Sequence, residues 1–131
     1  SKLVLSERCL LTDKKCFAHQ LYLDGLINDI EWKVYNHLYN TISIQDFLPN
    51  GIIYVNVNPE ICLSRMKKRN RTEETIPLDY LNKLDVRHNE WLSTINIPVL
   101  ELNLNDNYLE NDEKTEEIIK SIKDFINSFK T

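Results

Sequence analysis

Two glycines, Gly25 and Gly51, are all that the 131 residues contain, and nothing else in the sequence restricts the chain so sharply. Loops that wrap phosphates in the Walker and dinucleotide-binding manner need several glycines close together, because the backbone must turn tightly and approach the anion without a Cβ. Neither loop can be written into this sequence, so any phosphate contact must come from a local cluster elsewhere in it. A formal net charge of -4 argues against a general polyanion binder, and so against nucleic acid, which calls for a basic face. No apolar run approaches the roughly 18 residues of a membrane span. Cys9, Cys16 and Cys62 form no C-x-x-C pair, and His19, His37 and His88 lack ligand spacing, so no metal site is read. The length suits one domain. The chain opens at Ser1 without a signal-like stretch, which leaves a cytoplasmic address by default and suggests a trimmed or truncated product.

Three short apolar, β-branched runs read as strands: 2–6 (K-L-V-L-S), 51–57 (G-I-I-Y-V-N-V) and 98–102 (P-V-L-E-L). Each is followed by helical signals rather than by a hairpin turn, so the fold class is α/β with a parallel sheet and crossover helices. A helix is expected over 13–23, stopped at Asp24-Gly25. The next starts at Asn28 in a capping box with Glu31, its inward stripe being Ile30, Val34 and Leu38. Asn58-Pro59-Glu60 opens a third helix that carries Ile61, Arg65 and Arg69 on one face. Pro77 opens a fourth, through Leu81, Leu84, His88 and Trp91 or Leu92, and a last one runs from about Asp112 through Ile118, Ile122, Phe125 and Phe129.

Two constellations carry chemistry. Ser6-Glu7-Arg8 sits where the first strand ends, and open parallel sheets bind ligands beyond the carboxyl ends of their strands. The plainer alternative is a rim ion pair of little energetic consequence. The second is R-M-K-K-R-N-R-T-E-E, 65–74, which holds three of the chain's five arginines. Arg65 and Arg69 lie one helical turn apart and Arg71 follows, so three guanidinium forks have the spacing to converge on one polyphosphate. The alternative is a solvated helix end, its cations favoured by the dipole and neutralised by Glu73 and Glu74.

In order along the chain, E-R-C-L-L-T-D-K-K-C-F, E-W-K-V-Y, the run from I-I-Y-V-N-V-N-P through R-x-x-x-R-x-R-x-E-E to I-P-L-D-Y-L, and I-P-V-L-E-L-N-L-N-D-N-Y resemble the deoxynucleoside kinases of the deoxycytidine and deoxyguanosine kinase type. The resemblance implies a P-loop kinase-like parallel sheet with flanking helices. It implies transfer of the γ-phosphoryl group of ATP or another nucleoside triphosphate, with Mg2+, to the 5′-hydroxyl of a deoxynucleoside, and a homodimer. Arg65, Arg69 and Arg71 match an arginine-rich lid, about 65–75, that covers the donor phosphates and is suited to the charge of the transition state. Arg8 matches an arginine near the reacting hydroxyl and Glu7 its companion. Glu74 matches an acid that accepts from the sugar 3′-hydroxyl, Phe17 an aromatic flanking the base, and Asn107 and Tyr108 the loop around the donor base. Asp13 matches an acid found in relatives that accept cytosine or purine bases. A carboxylate accepts from an exocyclic amine but has no proton for the thymine carbonyl. The alternative is that Asp13 caps the following helix.

Cys9 stands where the family has serine, Lys14-Lys15 where it has R-Y, and Asn70 where glycine is common. The larger departure is that the P-loop, the first two strands, the general base and the Mg2+ ligands of the family match nothing here. Residues 1–131 are therefore expected to be the C-terminal part of a single kinase domain, inactive alone, with donor and Mg2+ held mainly by the missing part. The missing P-loop strand would lie between 2–6 and 51–57, leaving no ladder between these two. A nucleoside monophosphate kinase-like enzyme and a non-catalytic dimerisation module are the alternatives.

Overall fold

In the computed structural model, which describes residues 2–42, 44–69 and 76–129, β1 (Ile52–Asn56) and β2 (Val99–Asn103) form a parallel pair with Ile52 opposite Val99 and Asn56 opposite Asn103. A hairpin cannot join parallel strands, and the connection 57–98 contains two helices, α4 (Pro59–Arg69) and α5 (Leu78–Thr94). The chain sorts into two compact units: Ser1–Pro49 with Asp79–Ile95, and Asn50–Leu78 with Asn96–Thr131.

The second unit holds the sheet. Its buried aliphatic residues, Leu102 and Leu104, lie at the end of β2, where Leu104 N donates to Asn56 O at 3.0 Å and prolongs the ladder. The helix α6 (Asp112–Asn127) starts at Asn111, whose side chain accepts from Lys114 N at 3.0 Å, an N-cap of about 1 kcal/mol. Gly51 has a steric reason. A Cβ there would stand 2.7 Å from Phe129 Cζ and 3.0 Å from Phe125 Cζ, and these two rings meet edge to face at 5.1 Å.

The first unit is helical. α1 (Leu10–Thr12), a π-helical segment (Asp13–Ala18) and α2 (His19–Leu23) run on without a break. Cys16, Ala18, Thr12, Gln20 and Trp91 are its buried residues. Lys83 on α5 bridges Asp24 at 2.9 Å and Asp79 at 3.2 Å, and Gln20 also donates to Asp24, which ties the end of α2 to α5. The expected capping box appears at the start of α3 (Asp29–Thr41): Asn28 Oδ1 accepts from Glu31 N at 2.8 Å and Glu31 Oε1 from Asn28 N at 3.0 Å.

Three expectations need correction. Residues 2–6 form no strand, and Leu3, Val4 and Leu5 are each more than half exposed. A run this short holds as a strand where a neighbour supplies hydrogen bonds and cover, and among the described residues none pairs with it; the sheet is β1 beside β2. The stripe Ile30, Val34 and Leu38 faces outward, again more than half exposed. α3 docks instead through Trp32, Tyr35 and Tyr39, which stand at the alternative helical spacing. Trp32 stacks on Tyr22 at 5.1 Å, on His19 at 5.8 Å and on Tyr35 at 5.7 Å, and Lys14 Nζ lies 4.2 Å from the Tyr39 ring centre. Rings with polar tips bury area and satisfy hydrogen bonds together, which aliphatic side chains cannot. Finally, the helical run starts at Leu10, not Asp13, because extended Cys9 (φ -152°) already supplies the cap geometry. Asp13 N donates to Cys9 O at 3.1 Å, so Asp13 is inside the helix and does not cap it.

The aromatic stack has a pH signature. Burial, then the nearby Arg87 cation, holds the His19 imidazole below its ordinary value, against the opposing pull of Glu90 and with Lys15 adding to the depression. The unfolded state therefore binds the proton first, and the stability His19 contributes is present above the unfolded value of about 6.5 and lost as pH falls through the lower folded one. The melting temperature is expected to drop between about pH 7 and pH 5, with a shallower slope in His19→Gln, as read by circular dichroism.

Candidate functional site

After the exposed segment 2–6 the backbone turns sharply at Arg8, which takes φ +61°, the left-handed region that glycine prefers. Ser6 Oγ donates to Arg8 O at 3.3 Å across the turn. For an arginine this conformation costs about 1–3 kcal/mol, of the kind that collects at functional sites. It delivers the guanidinium to Phe17, with Cζ 4.2 Å from the ring centre. Phe17 meets His88 of α5 edge to face at 6.1 Å. Phe17 and Asp13 sit four residues apart on the π-helical segment, a widened turn that recurs at functional sites.

These residues bound one cleft of about 400 Å³, lined by Ser6, Glu7, Arg8, Cys9, Leu10, Asp13, Phe17 and Phe47. Of the residues singled out from sequence, Glu7, Arg8, Asp13 and Phe17 are thus brought together. Phe47, on the 3-10 turn Ile44–Phe47, was missed, since a lone phenylalanine in a polar connection carries no periodic signal. The cleft has a cation, two carboxylates and two apolar rings, a combination that grips a flat, polar-edged molecule with an ionisable or hydroxylic tail. The Cys16 thiol, fully buried, is pushed up to about 12 and plays no nucleophilic part. Asp13 Oδ2 accepts from Tyr35 Oη on α3 at 2.5 Å.

The arginine cluster belongs to the second unit. Arg65 Nη2 donates to three successive backbone carbonyls, Leu104 at 2.6 Å, Asn105 at 3.4 Å and Asp106 at 3.1 Å, and its Cζ lies 5.9 Å from the centre of the Tyr108 ring. Asn105 Oδ1 accepts from Asn58 N at 2.8 Å, Lys114 pairs with Asp106 at 3.0 Å, and Thr115 Oγ1 donates to the Tyr108 carbonyl at 2.8 Å. Arg65 therefore organises the loop 104–108 that also carries Asn107 and Tyr108. Arg69 is exposed at the end of α4. Arg71, Asn70, Glu73 and Glu74 lie outside the described residues. Among the described residues no group of three or more His, Cys, Asp or Glu side chains is placed to hold a metal ion, and no helix is long and apolar enough to cross a membrane.

The family model described as deoxynucleoside kinase matches residues 1–127. The chain is 38% identical over 130 residues to a probable deoxycytidine kinase of fowlpox virus, covering 94% of this chain and 55% of that protein. It is 35% identical over 136 residues to deoxycytidine kinase 1 of Xenopus laevis, covering 93% and 51%. The chain thus spans about half the length of these curated relatives. Among solved structures, deoxyadenosine kinase from M. mycoides with bound dCTP superposes with a TM-score of 0.71 at 23% identity, covering 89% of this chain and 62% of that one. The shared fold is the α/β fold of the P-loop kinases.

Proposed function

The chain belongs to the deoxynucleoside kinase family, and from that premise we propose that it forms the substrate-cleft and lid portion of an enzyme that phosphorylates the 5′-hydroxyl of deoxynucleosides for salvage. The observation that carries this reading is the cleft that Glu7, Arg8, Asp13 and Phe17 line together. A nucleobase fits against Phe17, with its exocyclic amine donating to Asp13 and its sugar directed toward Glu7 and Arg8. Arg8 then stabilises charge on the oxygen that attacks and on the phosphoryl group it receives. Because the site excludes water once substrate is seated, that stabilisation is larger than in solution.

Arg65, Arg69 and Arg71 are proposed as the donors over the triphosphate of ATP or a similar nucleotide, with the lid spanning about 65–75. Asn107 and Tyr108 are proposed to flank the donor base, and Glu74 to accept from the sugar 3′-hydroxyl. The Arg65 geometry supports a modified form of this reading: its guanidinium lies beside Tyr108 and across the loop carbonyls, so part of its role is to shape the donor-base loop. Mg2+ would travel with the donor and neutralise its phosphates; no step here is assigned to a metal site of this chain. A single kinase domain in which 1–131 is the C-terminal part, a homodimer and a cytoplasmic address complete the proposal. The test is phosphoryl transfer from radiolabelled ATP by the full-length gene product to the four natural deoxynucleosides. Transfer to at least one, at the 5′-hydroxyl, is the expected result, and transfer to none of them overturns it.

A further inference from the structure

We propose that Tyr35 is a positioning residue that fixes which oxygen of Asp13 faces the nucleobase, and with it the choice between amine-bearing and carbonyl-bearing bases. This rests on the deoxynucleoside kinase reading and deepens it. Tyr35 comes from α3, 22 residues further along the chain, and its Oη reaches Asp13 Oδ2 at 2.5 Å. The ring is held on both sides, by Trp32 at 5.7 Å and Tyr39 at 6.4 Å, and Trp32 is itself stacked on Tyr22 and His19. The capping box at Asn28 and Glu31 fixes the start of the same helix. A phenol so confined does not follow the carboxylate if it turns; it holds it.

The chemistry of the pair determines what remains for a ligand. Burial, then the bond to Asp13, pushes the Tyr35 phenol up, so it keeps its proton and stays a donor throughout the neutral range. With Oδ2 occupied, Oδ1 has no donor among the described residues, while Asp13 lines the cleft beside Phe17. An oxygen with only lone pairs accepts from the exocyclic amine of cytosine or adenine. Against the thymine carbonyl it sets lone pair on lone pair. Without the phenol the carboxylate rotates about χ2 and water competes for either oxygen, so the acceptor is no longer aimed before the base arrives. Tyr35 itself is not among the residues lining the cleft, so it acts through Asp13.

The full-length kinase, Tyr35→Phe, Asp13→Ala and the double variant are compared with deoxycytidine, deoxyadenosine and thymidine. Tyr35→Phe is expected to raise KM for the two amine-bearing nucleosides about 5–10-fold, the scale of one net hydrogen bond. Its kcat and all its thymidine kinetics should stay within about 2-fold, and adding it to Asp13→Ala, which leaves the phenol no acceptor, should change KM no further. An equal loss for all three nucleosides, an additive double variant, or an unaltered KM overturns the proposal. A wild type inactive on every nucleoside counts against the kinase reading instead. In that event the contact is read without catalysis, from the 13Cζ resonance of Tyr35, assigned by its loss in Tyr35→Phe. It should titrate at lower pH in Asp13→Asn, and a resonance that does not move overturns the proposal as well.

Discussion

Arg8→Ala is expected to lower kcat of the full-length kinase by about 10²–10³-fold, the range seen when one preorganised donor to a developing charge is removed. The nucleoside KM should change far less if, as proposed, the guanidinium acts on charge that appears in the transition state rather than on the bound sugar. The geometry gives this variant a control. Arg8 lies on the Phe17 ring, with Cζ 4.2 Å from its centre, so truncation also uncovers that ring. Arg8→Lys keeps the charge but loses the planar fork and most of the stacking, and should recover only part of the rate. Steady-state kinetics on both variants separate the two contributions. A kcat for Arg8→Ala within about 3-fold of wild type would remove Arg8 from the chemistry.

The second large effect concerns choice of base. The wild type is expected to prefer deoxynucleosides with an exocyclic amine over thymidine, and Asp13→Ala to reduce that preference by about 10-fold or more. Asp13→Asn is the sharper probe. An amide presents both an acceptor and a donor, so it can face the thymine carbonyl with its NH2 and should improve thymidine kcat/KM outright. Asp13 is exposed in the cleft, and the proposed contact should strengthen once a base covers it and excludes water. Competition assays with paired nucleosides read the ratio directly, and a wild type that already favours thymidine contradicts the assignment.

The parts of this molecule that were legible in the sequence are those in which one local rule decides the outcome. The β-branched run at 51–57 contains β1, the run at 98–102 overlaps β2, and their parallel pairing follows from the helical signals that come after each. Asn28 with Glu31 is a complete capping box within four residues, and it forms. Glu7, Arg8, Asp13 and Phe17 reach one cleft because all four lie within eleven residues, on one turn and one helical segment. Where two local rules compete, the sequence is ambiguous. α3 has an aliphatic stripe and an aromatic stripe at equally valid spacings, and the partner rings of Tyr22 and His19 select between them. Contacts made through backbone carbonyls leave no residue-type signature at all. Hence Arg65 reads in the sequence as a cation turned to a polyphosphate or to solvent, although in the structure it spans the carbonyls of Leu104, Asn105 and Asp106.

With the role proposed for Arg8, its left-handed turn sets sturdiness against turnover at one position. A chain selected only to stay folded would carry glycine there, since glycine takes φ near +60° without the steric penalty that any side chain meets. The penalty is retained in every folded copy, and its size, about 1–3 kcal/mol, is a substantial share of the 5–15 kcal/mol that separates a typical domain from its unfolded state. Searches for more heat-resistant variants will therefore be drawn to this codon, and the variants they collect there will be robust proteins without the guanidinium that lines the cleft.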